Sequence, residues 1–526
     1  MLLAGENRSQ LQMLCLEESV ARDSFVRVVD AFVDYLNLNQ LGFTEKGKSK
    51  EGRPAFSSTS LLKLYYYGYL NRVRSSRRLE REAKTNIEAI WLMQGLKPCY
   101  KTIADFRKEN SRALKKSFQQ LNRFLKSEGL LNETVVAVDG SKFRGQNSKK
   151  NNYNEKKVKD HLGYIDRQVA KYLSDLDMLD EKEKAEDGGQ ENRLAIAEHL
   201  EQLRNRRLKY EGLEQRVKDA HERGKTQIST TDPDARALPK RMGLVEVSYN
   251  VVITAERENK LITNYETINE HDRYALSKAS RKAKVVLGVE ANTSLKVLAD
   301  KGFDTGSELK KCSENNITTI VAPKKRVSAR KEVEFNKSQF AYDESLDAYL
   351  CPAGEYLKSN GKKYNKNRGK LRKAYRVKHY KLPFSVCNNC VHRLECAGPA
   401  NLKNSKGRYV ERTEYDDYVD DNIERVKYYK ELYRERQAIV EHPFGTIKRG
   451  WGYDYTLVKT LPKVSGEFGI IFTVYNLRRA ITIFGVKELL ERLGKGICSI
   501  LEAFMTRIEA IWREIIFREK MLTLKL

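Results

Sequence analysis

Through residue 125 the apolar positions recur at helical spacing. Ser57, Ser58, Thr59 and Ser60 stand as N-cap residues before LLKLYYYGYLNRV (61–73), where apolar side chains run all round the predicted helix. SSRRLEREAKTNIEAIWLMQG (75–95) keeps the spacing. KTIADFRKENSRALKKSFQQLNRFLKSEGLL (101–131) adds a helix or a pair, with Phe106, Leu114, Phe118, Leu121 and Phe124 on one buried face. A helical N-terminal domain is expected over 1–125.

At 133–139 the texture changes to ETVVAVD, a short β-branched run that predicts a buried strand closed by an aspartate. LVEVSYNVVITAE (244–256), ENKLITNYETI (258–268), LKVLAD (295–300) and ITTIVAP (317–323) read as further strands, with a helix after Gly306. An α/β core is expected over 131–160 and 240–325. Two stretches interrupt it. Over 161–225, Ile165, Val169, Tyr172, Leu176 and Leu179 form one helical stripe, broken at Asp187-Gly188-Gly189. Ile196, Leu203, Tyr210 and Val217 form a second at seven-residue steps, with Arg207 and Glu214 spoiling the intermediate positions. This predicts an inserted helical hairpin, an arm or a dimer contact. The second interruption, 326–425, is basic, rich in Lys, Tyr and Asn, and carries clustered cysteines. Over 427–526 the pattern is helical again. In its tail Leu501, Phe504, Ile508, Ile511 and Ile515 share one side, as in a packing helix.

With 526 residues the chain has room for two to four domains. It is 40 % hydrophobic, too apolar for a disordered chain, and its 10 prolines fall well below the usual share of about 5 %. MLLAGENRSQLQ lacks the pattern of a signal peptide. The longest apolar run, FGIIFTVYNL (468–477), falls short of the roughly 18 residues of a membrane helix. We expect a cytoplasmic protein without a membrane partner. The formal charge of +27 favours a polyanionic partner, nucleic acid first. Arg72, Arg74, Arg77, Arg78 and Arg81 form a basic run that is either a solvated face or a set of phosphate contacts.

Three acidic residues stand out by context: Asp139 in VVAVDGSKF, Asp300 in VLADKGFD and Glu441 in RQAIVEHPFGTIKRG. Carboxylates are costly to bury without a cation. Two strand-end aspartates and a helix-borne glutamate suit a pair of Mg²⁺ or Mn²⁺ ions acting on phosphodiesters. Each also has an ordinary reading, as a turn cap, a salt-bridge partner or a surface carboxylate.

Taken in order, these segments resemble the insertion-sequence transposases of the DDE class, within the IS4-related group and nearest the IS1182 type. GRPAFSSTSLLKLYYYGYLNRVRSSRRLER with KTIADFRKEN resembles that family's N-terminal domain. VVAVDGSKF, ADKGFDTG and YRERQAIVEHPFGTIKR resemble its catalytic blocks, and TDPDARAL with VSYNVVITAE the block before the central strands. The resemblance spans nearly the whole chain. It implies an RNase H-like catalytic core, with Asp139, Asp300 (rather than Asp304) and Glu441 as catalytic metal ligands. It also implies Tyr433, Arg436 and Lys448 as DNA-contacting companions. Four residues separate Arg436 from Glu441, where the wider group has three. Tyr433 is equally readable as a core aromatic, and His442 as a bystander or a base. The implied reaction is hydrolysis at the terminal inverted repeats, then attack of the freed 3′-OH on target DNA. A homodimer would hold two DNA ends, in a prokaryotic cytoplasm and at the nucleoid when bound. The alternatives are an inactive or repurposed DNA-binding protein of transposase origin, and a nuclease of the same fold.

Cys351 opens CPAG, and Cys387, Cys390 and Cys396 follow as C-x2-C-x5-C, with His379 and His392 as fallback ligands. The cluster reads either as a structural zinc site, as in the similar segment of that family, or as free structural cysteines. Cys15, Cys99, Cys312 and Cys498 are scattered and read as core or incidental positions.

Overall fold

A computed structural model describes residues 15–44, 54–183, 190–240, 243–324, 335–366, 374–396 and 407–523, the side chains of 179–192 and 496–523 excepted. It is a mixed α/β fold with helical regions and two curled sheets.

The N-terminal helices are α1 (Phe25–Tyr35), α2 (Leu38–Leu41), α3 (Ser58–Leu70), α4 (Ser76–Thr85), α5 (Ile87–Leu92), α6 (Tyr100–Glu109) and α7 (Ser111–Ser127). Ser57 caps α3 by accepting from the Ser60 N–H at 3.1 Å, and every residue from Leu61 to Leu70 is buried. Burying so many tyrosines requires partners for their hydroxyls. Tyr65 donates to the Ile103 carbonyl at 2.6 Å, Tyr66 pairs with Ser117 at 2.6 Å, and Tyr69 donates to Glu467 at 3.2 Å.

The core follows. Its strands are β1 (Val135–Arg144), β2 (Asn152–Tyr153), β3 (Ile228–Ser229), β4 (Arg236–Pro239), β5 (Val245–Glu256), β6 (Ile262–Ile268), β7 (Leu295–Ala299) and β8 (Ile317–Val321). In the main sheet β4-β5-β1-β7-β8, with β6 also on β5, the strands β1, β7 and β8 run parallel and β5 antiparallel to β1. β1 outruns the predicted strand. Parallel pairing to β7 stops at Val138↔Ala299, but antiparallel pairing to β5 continues to Arg144↔Ser248. Asp139 therefore lies mid-strand, at the point where β7 leaves β1.

Between β2 and β3 rise α8 (Glu155–Glu183) and α9 (Gln190–Glu222), packed through Val158, Ile165, Leu203, Tyr210, Leu213 and Val217. The intermediate position is filled by Leu213, three residues past Tyr210, rather than spoiled by Glu214. The break at Asp187-Gly188-Gly189 lies outside the described residues. After β6 come α10 (Leu276–Leu287) and α11 (Gly306–Ser313), flanking β7.

The second sheet is antiparallel: β9 (Ala341–Asp343), β10 (Ala348–Leu350), β11 (Tyr356–Lys366), β12 (Tyr375–Lys381) and β13 (Tyr409–Thr413), in order β13-β12-β11-β10-β9. Short helices α12 (Phe384–Asn388) and α13 (Arg393–Cys396) sit between β12 and β13. The chain then rejoins the core through α14 (Asp416–Tyr428). There Asn422 accepts from the Val321 N–H at 3.0 Å and donates to its carbonyl at 2.7 Å. The inserted sheet thus closes at Thr413, and α14 belongs to the core.

Two helices complete the fold: α15 (Lys430–Phe444), which runs into a π-helical turn at Gly445–Gly450, and α16 (Leu461–Thr523), kinked at Gly485. Ile439 and Val440 of α15 pack on Val135 and Ala137 of β1. By length and composition Leu461–Lys495 is apolar enough to cross a membrane, yet Val464, Phe468, Ile470, Ile471, Phe472 and Val474 are core residues. At Gly466 and Gly469 an added Cβ would stand 2.7 Å from the Ser111 and Leu114 backbones. Only glycine lets α16 approach α7 so closely. The tail stripe from Leu501 to Ile515 lies outside the described side chains.

Candidate active site

Register brings Asp139 and Asp300 together. Each is the residue after the last parallel pair, Val138↔Ala299, so the two carboxylates leave adjacent strands side by side. Asp139 and Asp300 share the sheet face of Ala137 and Leu298, which packs against α15. The Gly140 N–H donates to Asp139 Oδ1 at 2.8 Å. Asp300 caps a 3₁₀ turn, Lys301–Phe303, by accepting from the Gly302 N–H at 2.7 Å. A Cβ at Gly302 would stand 2.8 Å from Asp300 Oδ1, and Phe303 is fully buried. The Asp-x-Gly-aromatic spacing thus has a local cause: a cap, a clearance and an anchor.

Burial pushes the Asp139 carboxyl up to about 6. The Gly140 N–H and Arg436 oppose that rise, and the charges of Asp300 and Asp272 add to it. Arg436 acts on Asp139, and Lys324 lies within the field of Asp300. The hard oxygen donors of the two aspartates suit Mg²⁺ or Mn²⁺, so this pair fits a divalent cation. Among the described residues, no three His, Cys, Asp or Glu side chains stand close enough to hold a metal together. Glu441, on α15, is exposed and accepts from Gln437 at 2.7 Å.

The other expected residues divide. Arg436 and Tyr433 are half-buried on α15, the guanidinium 5.9 Å from the ring centroid, and both lie within the field of the aspartate pair. Lys448 sits in the π-helical turn, where such irregularities often mark functional sites. Its Nζ donates to the Lys142 carbonyl at 2.6 Å and stands 4.2 Å over the Phe143 ring, and burial pushes it down to about 8. His442 pairs through Nδ1 with the Tyr475 hydroxyl at 2.7 Å. Asp304 is buried and accepts from the Lys324 N–H at 2.8 Å.

Arg74 departs from the expected phosphate contact. It is buried, with Nη2 2.8 Å from the fully buried Glu467, and lies 4.5 Å over the Tyr453 ring. Its charge ties the helical domain to α16 instead. Arg72, Arg77, Arg78 and Arg81 are exposed, with Arg77 4.4 Å over the Tyr100 ring. In TDPDARAL, Asp232 is buried and accepts from the Tyr249 hydroxyl at 2.8 Å and from the Thr460 N–H at 3.1 Å, and Asp234 from the Leu461 N–H at 2.8 Å. These aspartates anchor the start of α16.

Cys351, Cys387, Cys390 and Cys396 line one cavity of about 410 Å³, unbridged by disulfides, with His392 and Arg408 on its wall. Cys351 Sγ accepts from the Glu355 N–H at 3.3 Å, and burial raises the Cys396 thiol. His379 stacks 4.7 Å from Tyr364, away from the cavity. Of the other cysteines, Cys15 and Cys99 are exposed and Cys312 is buried; the side chain of Cys498 lies outside the described residues.

Residues 14–109 match the family described as Transposase domain (DUF772), and residues 350–481 the family described as Transposase DDE domain. No curated protein matches the chain. A solved structure, the cryo-EM piggyBac transposase synaptic complex with hairpin DNA, aligns over 91 % of this chain and 79 % of that one. Its identity is 8 % and its TM-score 0.28, too low a likeness to carry an argument.

Proposed function

We propose that this DDE-transposase domain protein of the broad transposase superfamily cuts insertion-sequence ends and joins their 3′-OH groups to target DNA. The observation that carries the reading is the Asp139–Asp300 pair on adjacent parallel strands, facing the helix that bears Tyr433, Arg436 and Glu441. Counting only the five long strands, the sheet order is third-second-first-fourth-fifth, with the first, fourth and fifth parallel. That order supports an RNase H-like core. The IS1182-type assignment rests on the sequence blocks.

In this reading Asp139 and Asp300 hold divalent cations, and Glu441 turns in from α15 when DNA is bound. The cations supply charge stabilisation for in-line displacement at phosphorus. Arg436 clamps a phosphate through its fork, and Lys448 meets one as a point charge. Arg72, Arg77 and Arg78 contact the backbone of double-stranded DNA, as the charge of +27 favours. Exposed Leu173, Leu194 and Leu208 on the hairpin suit contact with a second copy, which a complex of two DNA ends requires.

A structural Zn²⁺ that draws Cys351, Cys387, Cys390 and Cys396 together from the cavity they line, where they do not yet stand within common reach of one ion, completes the proposal. Neither α12 nor α13 contributes a buried residue, and Val391 and Leu394 between and within them are 90 % and 80 % exposed. With so little apolar anchorage, a four-thiolate staple is the natural means of holding that segment on its small sheet.

The test is a cleavage and strand-transfer assay on the DNA flanking the protein's own gene. Metal-dependent nicks at the repeat ends, lost in Asp139→Asn and Glu441→Gln, are expected. Specific binding without cleavage in Mg²⁺ or Mn²⁺ would favour the repurposed DNA-binding protein.

A further inference from the structure

The inserted sheet carries a basic, aromatic face that the catalytic reading leaves unused. Its other face packs through Tyr349, Leu357, Tyr380 and Val410. The chain neighbours Lys358, Lys381 and Tyr409 therefore point the opposite way. They stand straight across three strands, Lys358 opposite Lys381 and Lys381 opposite Tyr409, and all three are exposed. β11 and β12 contain no aspartate or glutamate. On the flanking strands, Glu411 is paired with Lys366, and Asp343 is taken up by the Ser345 hydroxyl at 2.6 Å. Like charges directly opposite each other destabilise a sheet. An anion seated between Lys358 and Lys381 removes that cost.

Aromatic rings share this face. Val377, His379 and Lys381 alternate onto it, and Tyr364 stands opposite Val377. The His379 ring lies between two tyrosines, stacked on Tyr364 at 4.7 Å with 13° between the planes and 5.9 Å from Tyr409. Asn360 Nδ2 donates to the Tyr364 hydroxyl at 2.9 Å and so steadies that ring. Tyr364 and Tyr409 remain 39 % and 44 % exposed. Three rings thus make a diagonal row over β11, β12 and β13, with the lysine pair at its Tyr409 end. A phosphate by itself needs only the lysines. Exposed rings beside a phosphate site suit a strand whose unpaired bases are free to stack, whereas duplex bases are closed to them.

We propose that this face of the inserted sheet binds single-stranded DNA. Tyr364, His379 and Tyr409 stack its bases, and Lys358 and Lys381 share one of its phosphates. The choice of DNA rests on the reading of the chain as acting on DNA ends. The binding itself needs no divalent cation and no residue of the Asp139–Asp300 centre.

The test is fluorescence anisotropy of the full chain in EDTA with a labelled oligo-dT of about 15 nucleotides, near the upper site size of a small binding sheet. A duplex and an oligo-U of equal length are compared, and circular dichroism checks folding. Tyr364→Ala and Tyr409→Ala should each weaken oligo-dT binding about fivefold or more and leave duplex binding unchanged, while Tyr409→Phe keeps wild-type affinity. Lys358→Ala with Lys381→Ala should lower the slope of log affinity against log salt by about 0.7, the value for one phosphate contact on a single strand. Asp139→Asn should bind oligo-dT as wild type does. Folded tyrosine variants that bind oligo-dT normally, or lose duplex equally, would overturn the stacking role, and tighter binding of oligo-U would overturn the choice of DNA. Photo-crosslinking of 5-iodouracil oligonucleotides to wild type gives a readout independent of variant folding. Crosslinks should fall within 356–366, 375–381 or 409–413, and crosslinks confined to other segments would contradict the site. If the protein cleaves no DNA yet passes these tests, the catalytic reading fails and this surface stands.

Discussion

Replacing Asp139 by asparagine should stabilise the metal-free protein while ending its chemistry. Burial lifts this carboxyl from an ordinary 3.8 to about 6. Between those values the folded state holds a proton that the unfolded chain has lost, so stability falls as pH rises through the window. The Asp139 contribution is fully present below pH 3.8 and gone above about 6. At about 1.36 kcal/mol per pH unit the whole effect is about 3 kcal/mol. Screening by the solvent reaching this half-buried group trims it to about 2–3 kcal/mol. Asparagine keeps the shape and never ionises. Thermal melts of both proteins, with EDTA at pH 4.5 and 7.5, check this. Asp139→Asn should melt several degrees higher at pH 7.5, with the gap shrinking to about a third of that at pH 4.5, low in the titration window. Added Mg²⁺ should raise the wild-type melting temperature at pH 7.5, because a ligand of the folded state alone stabilises it, and leave the variant unmoved. Equal melting temperatures at pH 7.5, or an equal Mg²⁺ shift in both proteins, would refute the argument.

Further outcomes follow from other groups. Arg74→Met removes the direct ion-pair partner of buried Glu467, leaving only the more distant charge of Arg107, and should cost about 3–5 kcal/mol in urea unfolding, whereas Arg77→Ala should leave stability unchanged and weaken DNA binding in low salt. One zinc per chain should appear by elemental analysis, and chelation or Cys387→Ser with Cys390→Ser should open residues 384–396 to protease. Lys448→Ala should cut DNA cleavage at least tenfold. Because burial brings the Lys448 amine down to about 8, wild-type cleavage should fall as pH rises above that value, and Lys448→Arg should remove the fall.

Elements with strong local signals were legible in the sequence. β-branched runs marked β1, β5, β7 and β8, and α3 followed from its serine cap and apolar circumference. Asp139 was legible by type but not by position. The polar segment GSKFR gives no strand signal, and it is β5 that holds it extended to Arg144. Arg74 looked like its solvated neighbours because the residue that claims it, Glu467, lies in a distant apolar run. A lone glutamate inside SGEFGII was the available hint, since a buried carboxylate needs a cation. Leu213 was missed by measuring the helical repeat four residues on rather than three. The π-helical turn at Gly445–Gly450, directly after α15 with its Pro443, is beyond what periodicity encodes.

The central claim is that Asp139, Asp300 and Glu441 form one cation centre when DNA is bound. Localised hydroxyl-radical cleavage tests it most directly. Fe²⁺ replaces Mg²⁺ on the full protein, ascorbate and peroxide are added, and the protein fragments are mapped with and without DNA ends. The account predicts backbone cuts near 139 and 300 in both samples, with a cut near 441 only in the presence of DNA. Cuts that avoid 139 and 300, or a pattern unchanged in Asp139→Asn, would contradict it.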